Sequence, residues 1–335
     1  YRVNDGGRLV AEGATTQQID VRTGGGLQLE GSTVSATGVA AVMVNGGASA
    51  TIANGSRLTS NLFGLDVLRS ATAGSTVSVT GSHIEGGVGG ARVAGSSHLS
   101  LTDSTLVSTG AAGAALLFGD ARLDATNSQL TGATDGIRVV GDALSTEAAS
   151  LNLQGSRVEG QNGAAIRVGS ANQAPGDAAI TISGGTTLVG SNGNLLEVAH
   201  GSNATMLVGG SNLVGDVLVE DGSSAKLTLG NQASLTGRLT NVESLALNDG
   251  GRWNMVEDSE VAQLAMAGGA VRFGEATQYQ RLTLGNLSGS GTFIMDADFS
   301  TGETDFLDIT GTATGNHSLL VGSSGNEPTQ ENSLH

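Results

Sequence analysis

The chain has 335 residues, of which 54 are Gly and only 2 are Pro, with 14% charged residues, 3% aromatics and no Cys. Its formal net charge is −16 and Lys226 is its one Lys; with no basic cluster to release phosphate counterions, nucleic acid is excluded as a partner, and anionic lipid or heparin-like glycans with it. The lack of Cys excludes thiolate metal sites and Cys nucleophiles and suits a chain that crosses an oxidising compartment.

The chain opens on a strand-like stretch, Tyr1-Arg2-Val3-Asn4-Asp5-Gly6-Gly7, and from there a degenerate repeat recurs about nine times. One half of it alternates aliphatic and polar residues, then places Gly, Asn or Asp before Ser and a further aliphatic residue. Examples are Gly26-Leu27-Gln28-Leu29-Glu30-Gly31-Ser32-Thr33-Val34 and Ser150-Leu151-Asn152-Leu153-Gln154-Gly155-Ser156-Arg157-Val158. The aliphatic residue after that Ser, or after the Thr or Ala that replaces it in later copies, serves as a ruler: Val34, Leu58, Ile84, Leu106, Leu130, Val158, Leu188, Leu213 and Leu235. Its steps are 24, 26, 22, 24, 28, 30, 25 and 22 residues, the period of stacked units too small to bury an apolar face alone.

Each repeat carries a second apolar stretch after a Gly-rich corner, as in Gly64-Leu65-Asp66-Val67-Leu68 and Gly136-Ile137-Arg138-Val139-Val140. Alternation at period two sends the charge outward and the aliphatics inward. This gives about three short strands per coil of a parallel β-helix, an all-β solenoid. About 13 coils at ~4.8 Å each predict a rod on the order of 60 Å long. Asn54, Asn127, Asn212 and Asn231 fall at or near one corner, where they are expected to accept left-handed backbone.

Near residue 238 the pattern becomes more regular and its side chains larger; the stretch holds the single Trp and Phe273, Phe293, Phe299 and Phe306. The organisation expected is 1–237 as a repetitive β-helix and 238–335 as the end of the same coil, the most stable part because more apolar area is buried per residue. No apolar run reaches ~18 residues, so no transmembrane helix is predicted, and no leader is recognisable. The ends fall inside strand-like patterns and are expected to be cuts in a longer protein.

The C-terminal third resembles the pertactin-like passenger region of autotransporters of Gram-negative bacteria. The ordered motifs are Asn248-Asp249-Gly250-Gly251-Arg252-Trp253, Gly268-Gly269-Ala270-Val271-Arg272-Phe273 and Leu287-Ser288-Gly289-Ser290-Gly291-Thr292-Phe293. They continue through Asp305-Phe306-Leu307-Asp308-Ile309-Thr310-Gly311 to the segment from His317 to Pro328. The resemblance implies a right-handed β-helix, an autochaperone-type role for the C-terminal region, cell-surface placement, and a β-barrel translocator downstream as the chain's only membrane link. It departs from pertactin in having no Arg-Gly-Asp tripeptide and no Pro-rich segment.

β-Helical lyases and hydrolases cluster carboxylates with Arg or Lys, often around Ca²⁺. Here Asp66, Glu85, Asp103, Asp124, Asp135, Glu159 and Glu197 are scattered, and the densest group, Asp296, Asp298, Glu303, Asp305 and Asp308, fails the EF-hand spacing and reads as a solvated loop. His83, His98, His200, His317 and His335 have no metal-ligand spacing. Arg57, Arg92, Arg138, Arg157 and Arg167 read as outward residues that either pair with a carboxylate of a neighbouring coil or stay solvated. No catalytic, cofactor-binding or metal-ligating residue is expected, and no cofactor.

The function expected is a surface adhesin passenger whose Thr, Ser, Asn and Gly rows contact a like chain on another cell, or a host or matrix glycan or protein, with avidity replacing a single strong site. Self-association, autoaggregation and biofilm formation are the preferred form. The alternatives are a hydrolase acting on polysaccharide or ester, and a passive stalk displaying an N-terminal domain.

Overall fold

The computed structural model of the protein describes residues 1–145, 147–276, 278–299 and 301–323; residues 324–328 of the last motif and His335 lie outside them. The described chain is all-β and winds as a right-handed parallel β-solenoid. It forms two compact units, Tyr1–Ala204 with Glu220–Ser223, and Thr205–Val219 with Ser224–His335.

In the first unit each coil carries three short strands, as the repeat implies. Phe63–Leu68 lies in a first sheet (A), Thr76–Thr80 in a second (B) and His83–Gly86 in a third (C); Gly89–Ala94 then returns to sheet A beside Phe63–Leu68, in parallel. The ruler residues stack in strict register, Val34 on Leu58, then Ile84, Leu106, Leu130, Val158 and Leu188. All are at most 2% exposed. Two further aliphatic columns line the inside of sheet B, one of them Leu29, Ile52, Val79, Leu101, Ala125, Leu153 and Ile182. Burying a Leu, Ile or Val of such a column contributes about 1.5–3 kcal/mol.

The corner between sheets B and C is a second column. Gly31, Asn54, Gly81, Asp103, Asn127 and Gly155 all have φ between 49° and 58°, a left-handed backbone that Gly, Asn and Asp tolerate best. Asn231 in the second unit shares this conformation, with φ 50°. Asn212 does not: it lies in the strand Asn212–Val214, where its Oδ1 accepts from the Ser234 hydroxyl at 2.8 Å.

The Ser after this corner corrects the reading of Ser as an outward row. Ser32, Ser56, Ser82, Ser104, Ser128 and Ser156 are buried. The N–H of Ser104 donates to Ser128 Oγ at 3.2 Å, and the Ser104 hydroxyl donates to the Thr102 carbonyl at 2.7 Å. The N–H of Ser128 donates in turn to Ser156 Oγ at 3.0 Å. A buried amide that the turn removes from the sheet ladders is thus satisfied by the hydroxyl one coil on, avoiding a loss of about 1–3 kcal/mol.

In the second unit the ruler runs from Leu213 through Leu235, Trp253, Val271 and Phe293. Trp253 is fully buried and its indole N–H donates to the Gly237 carbonyl at 2.9 Å. Here the corners smooth out: Ser259–Arg272 and Arg281–Asp298 are continuous strands of 14 and 18 residues, paired in parallel with a register shift between Ala267 and Gly269. Phe273 and Phe293 are buried, whereas Phe306 is largely exposed under the Arg281 guanidinium, 4.0 Å from its ring centre.

Leu106→Ala should cost about 2–5 kcal/mol through the cavity it leaves in a stacked column. Asn127→Val should cost about 1–2 kcal/mol through its left-handed backbone, with Asn127→Gly close to the unmodified chain. Urea midpoints of the three variants check both.

Candidate binding surface

Parallel in-register stacking fixes what each sheet shows to solvent. On sheet A the outward column runs Asp20, Met43, Asp66, Arg92, Leu116, Arg138, Arg167 and Glu197. Its carboxylates do not sit in solvent as the alternation predicts: Asp20, Asp66 and Glu197 are buried, as is Asp135 beside the column. Asp66 accepts two hydrogen bonds from Arg92, at 3.0 and 2.7 Å. Burial pushes the Asp66 carboxyl above its ordinary value, against the pull of the Arg92 guanidinium. Glu197 accepts from Arg167, Asn192 and Asn194 at 2.6, 2.6 and 2.7 Å.

Arg57, Arg92, Arg138, Arg157 and Arg167 each have an acid partner, but only Arg57, Arg92 and Arg167 find it in a neighbouring coil; Arg138 and Arg157 pair within their own coil. Arg57 meets Glu85 at 2.9 Å and Arg157 meets Glu159 at 3.0 Å, both near the surface, while Arg138 meets Asp135. His83 lies 2.6 Å from Thr105 Oγ1 and 3.3 Å from Glu85. His98 lies 2.7 Å from Asp124, which also accepts from Arg122 at 2.9 Å and Asn152 at 2.6 Å. Partial burial pushes the Asp124 carboxyl up, but the hydrogen bonds from Asn152, Arg122 and His98 and the Arg122 charge outweigh it and hold it below its ordinary value.

The acidic group near the C-terminus is not wholly a solvated loop. Asp305 is buried and accepts the N–H groups of Gln280 and Asp296, each at 2.7 Å. It thereby ties Gln280, just before the strand Arg281–Asp298, to Asp296 near that strand's end. Burial raises its carboxyl above the usual range despite those two donors. Among the described residues no three carboxylates or imidazoles converge as metal ligands.

Sheet B carries a hydroxyl-rich patch in the first unit, edged by the pair of His98 with Asp124. Ser49, Thr76 and His98 stack in one outward column, Thr51, Ser78 and Ser100 in the next, and Thr80, Thr102 and Thr126 in a third. The spacing is about 4.8 Å between coils and about 6.6 Å along a strand. Ser49, Thr51, Thr76, Ser78 and Thr80 are exposed, and no carboxylate occupies the strands Ser49–Ala53, Thr76–Thr80 or His98–Thr102. These strands show water a flat lattice of hydroxyls held by a rigid backbone. The sequence signals it as Thr76-Val77-Ser78-Val79-Thr80 stacked between two similar strands.

Residues 17–186 match the family model described as right handed beta helix region, and residues 261–335 match the one described as Pertactin. The chain belongs to the right-handed β-helix family and is a pertactin-like autotransporter passenger domain. It is 29% identical over 331 residues to the BrkA autotransporter of Bordetella pertussis, covering 91% of this chain and 32% of that protein. It is 36% identical over 118 residues to the autotransporter adhesin/invasin TibA of Escherichia coli, covering 32% of this chain and 12% of TibA. It is 32% identical over 126 residues to an immunoglobulin A1 protease autotransporter of Haemophilus influenzae, covering 35% of this chain and 8% of that protein. The chain therefore spans about a third or less of these relatives. Passengers of this kind stand at the Gram-negative cell surface or are released from it.

Because the Asp124 carboxyl titrates below its unfolded value, its contribution to stability is present above that value and is lost as pH falls through the lower, folded one. Urea midpoints measured from pH 6 down to pH 3 should fall more steeply for the unmodified passenger than for Asp124→Asn.

Proposed function

We infer that this passenger is an adhesin that associates with copies of itself on neighbouring cells through the hydroxyl lattice of sheet B. The supporting observation is the placement of charge. A chain of net charge −16 repels its copies, and the three strands of the lattice themselves carry no carboxylate. Hydroxyls both donate and accept, so a lattice of them is self-complementary once two copies are turned about a two-fold axis.

Three coils span only about 14 Å, so each contact falls well short of the ~1,200 Å² that a stable pair of proteins buries. A single contact is weak, and many copies on two surfaces supply the avidity. The adhesin/invasin name of TibA supports adhesion in the wider sense, and a host or matrix surface is the second class of partner. A hydrolase reading draws on the protease relative, whose matched part is 8% of that protein.

Cells displaying the passenger should aggregate more at ~0.15 M than at ~0.01 M salt, as the screening length shrinks from about 30 to about 8 Å. The triple substitution Thr76→Asp, Ser78→Asp and Ser100→Asp should abolish clumping, whereas Thr105→Asp and Thr131→Asp on sheet C should not. Clumping that survives the sheet B triple moves the contact to another face. Cells that never clump, or purified passenger that hydrolyses polysaccharides or esters, would refute the reading.

A further inference from the structure

The repeat is longest where Leu130 steps to Val158 and Val158 to Leu188, 28 and 30 residues. The surplus lies at one corner, between sheets A and B, as residues 141–148 and 169–176. A third long connection, residues 69–75, sits on the same corner three coils earlier, and between them the corners are short, residues 95–97 and 119–121. Long corners on either side of short ones leave a trough.

Its walls are tied together. The Arg69 guanidinium donates to Asp142 Oδ2 at 2.8 Å, across 73 residues of chain. Gly141 N–H donates to the Ala174 carbonyl at 3.0 Å, bracing the two longest connections. Gly95 and Gly119 allow the closure: a Cβ on Gly95 would lie 1.9 Å from Arg69 Cδ, and one on Gly119 2.8 Å from Asp142 Cβ. The resulting cleft is a shallow depression open to solvent, with a volume of about 420 Å³.

The floor is apolar: Leu68, Ala94 and Phe118 are outward positions at the ends of successive sheet A strands. The rim is polar: Arg92, Asp142 and the exposed Gln173. Both ionic groups of the rim are already neutralised, Arg92 by Asp66 and Asp142 by Arg69. A charged ligand would have to break one of those pairs and leave its partner unsatisfied. The chain's net negative charge also disfavours anions.

A sugar ring fits this pattern. Its C–H face packs on a flat apolar floor, and its hydroxyls meet planar amide, carboxylate and guanidinium groups at the edge. We propose that the cleft over the strand ends Leu68, Ala94 and Phe118, walled by residues 141–143 and 173–174, binds a neutral mono- or disaccharide, with Phe118 as the stacking platform and Gln173 as a hydrogen-bonding residue. The site is separate from the sheet B lattice and holds whether or not the lattice self-associates.

Saturation-transfer NMR on the whole chain with galactose, glucose, N-acetylglucosamine, lactose and maltose tests it. At least one of these should bind. Its affinity should fall about tenfold or more in Phe118→Ala and in Gln173→Ala, the second an exposed position where folding is unaffected, and stay unchanged in Thr76→Asp. 3′-Sialyllactose should bind more weakly than lactose. The proposal is overturned if none of the five sugars binds, if binding persists in both cleft variants, or if the sialylated sugar binds more tightly.

Discussion

Everything in this fold depends on parallel strands stacking in register at about 4.8 Å. The pairing makes columns, and a column must be filled consistently from coil to coil. Inside, this produces the unbroken line from Val34 to Leu188, in which each aliphatic residue rests on another of similar size. At the corner it produces the left-handed line from Gly31 to Gly155 and, one or two residues later, the buried Ser line that satisfies the turn's own amides. The high Gly, Ser and aliphatic content, and the scarcity of aromatics, follow from a coil interior too narrow for large side chains until Trp253, Phe273 and Phe293.

The same constraint governs the outside, where it is an electrostatic problem. Like charges in adjacent coils would sit about one strand spacing apart, and two such charges at 4 Å repel by about 4 kcal/mol at an effective dielectric of 20. Arg138 and Arg167 are stacked neighbours in sheet A, and each is matched by its own acid, Asp135 and Glu197. Elsewhere in that column Asp66 faces Arg92. The alternative to pairing is to leave charge out, and sheet B does this over Ser49, Thr51, Thr76, Ser78, Thr80, Ser100 and Thr102. Paired columns are internally satisfied; the hydroxyl columns have hydrogen-bonding capacity to spare, which separates a structural flank from a binding one.

Much of this was legible in the sequence, because an aliphatic residue recurring every 22 to 30 positions can only be a buried column. The three-strand coil followed from it, as did the pairing of Arg57, Arg92 and Arg167 across coils, but not the pairing of Arg138 and Arg157 within one coil. Ser was not legible: its small side chain suits a buried corner and an open face equally, and only the backbone direction decides. The buried state of Asp66 and Glu197 was hidden because their partners lie 26 and 30 residues away, one coil on in space. Asp305 was hidden for a related reason, since the amides it accepts from, those of Gln280 and Asp296, lie 25 and 9 residues away. Phe306 shows the limit of composition as a guide, because a large aromatic at a strand end is covered by an Arg side chain rather than by the core.

The long steps of the repeat were visible as numbers, but their meaning lies in what they leave undisturbed. Leu130, Val158 and Leu188 keep perfect register although 28 and 30 residues separate them. A corner can therefore lengthen without touching the column, and the entropic cost is small, about 0.6 kcal/mol for each doubling of loop length. Core columns and corner loops are thus nearly independent variables in this architecture. The columns carry the folding free energy and tolerate little change in volume. The corners tolerate insertion, and where several insertions fall on one edge they can meet, as Arg69 and Asp142 do across three coils. Recognition features in such a chain are therefore expected where coil length departs from the repeat, or where an outward column has lost its charge, and both occur in the first unit.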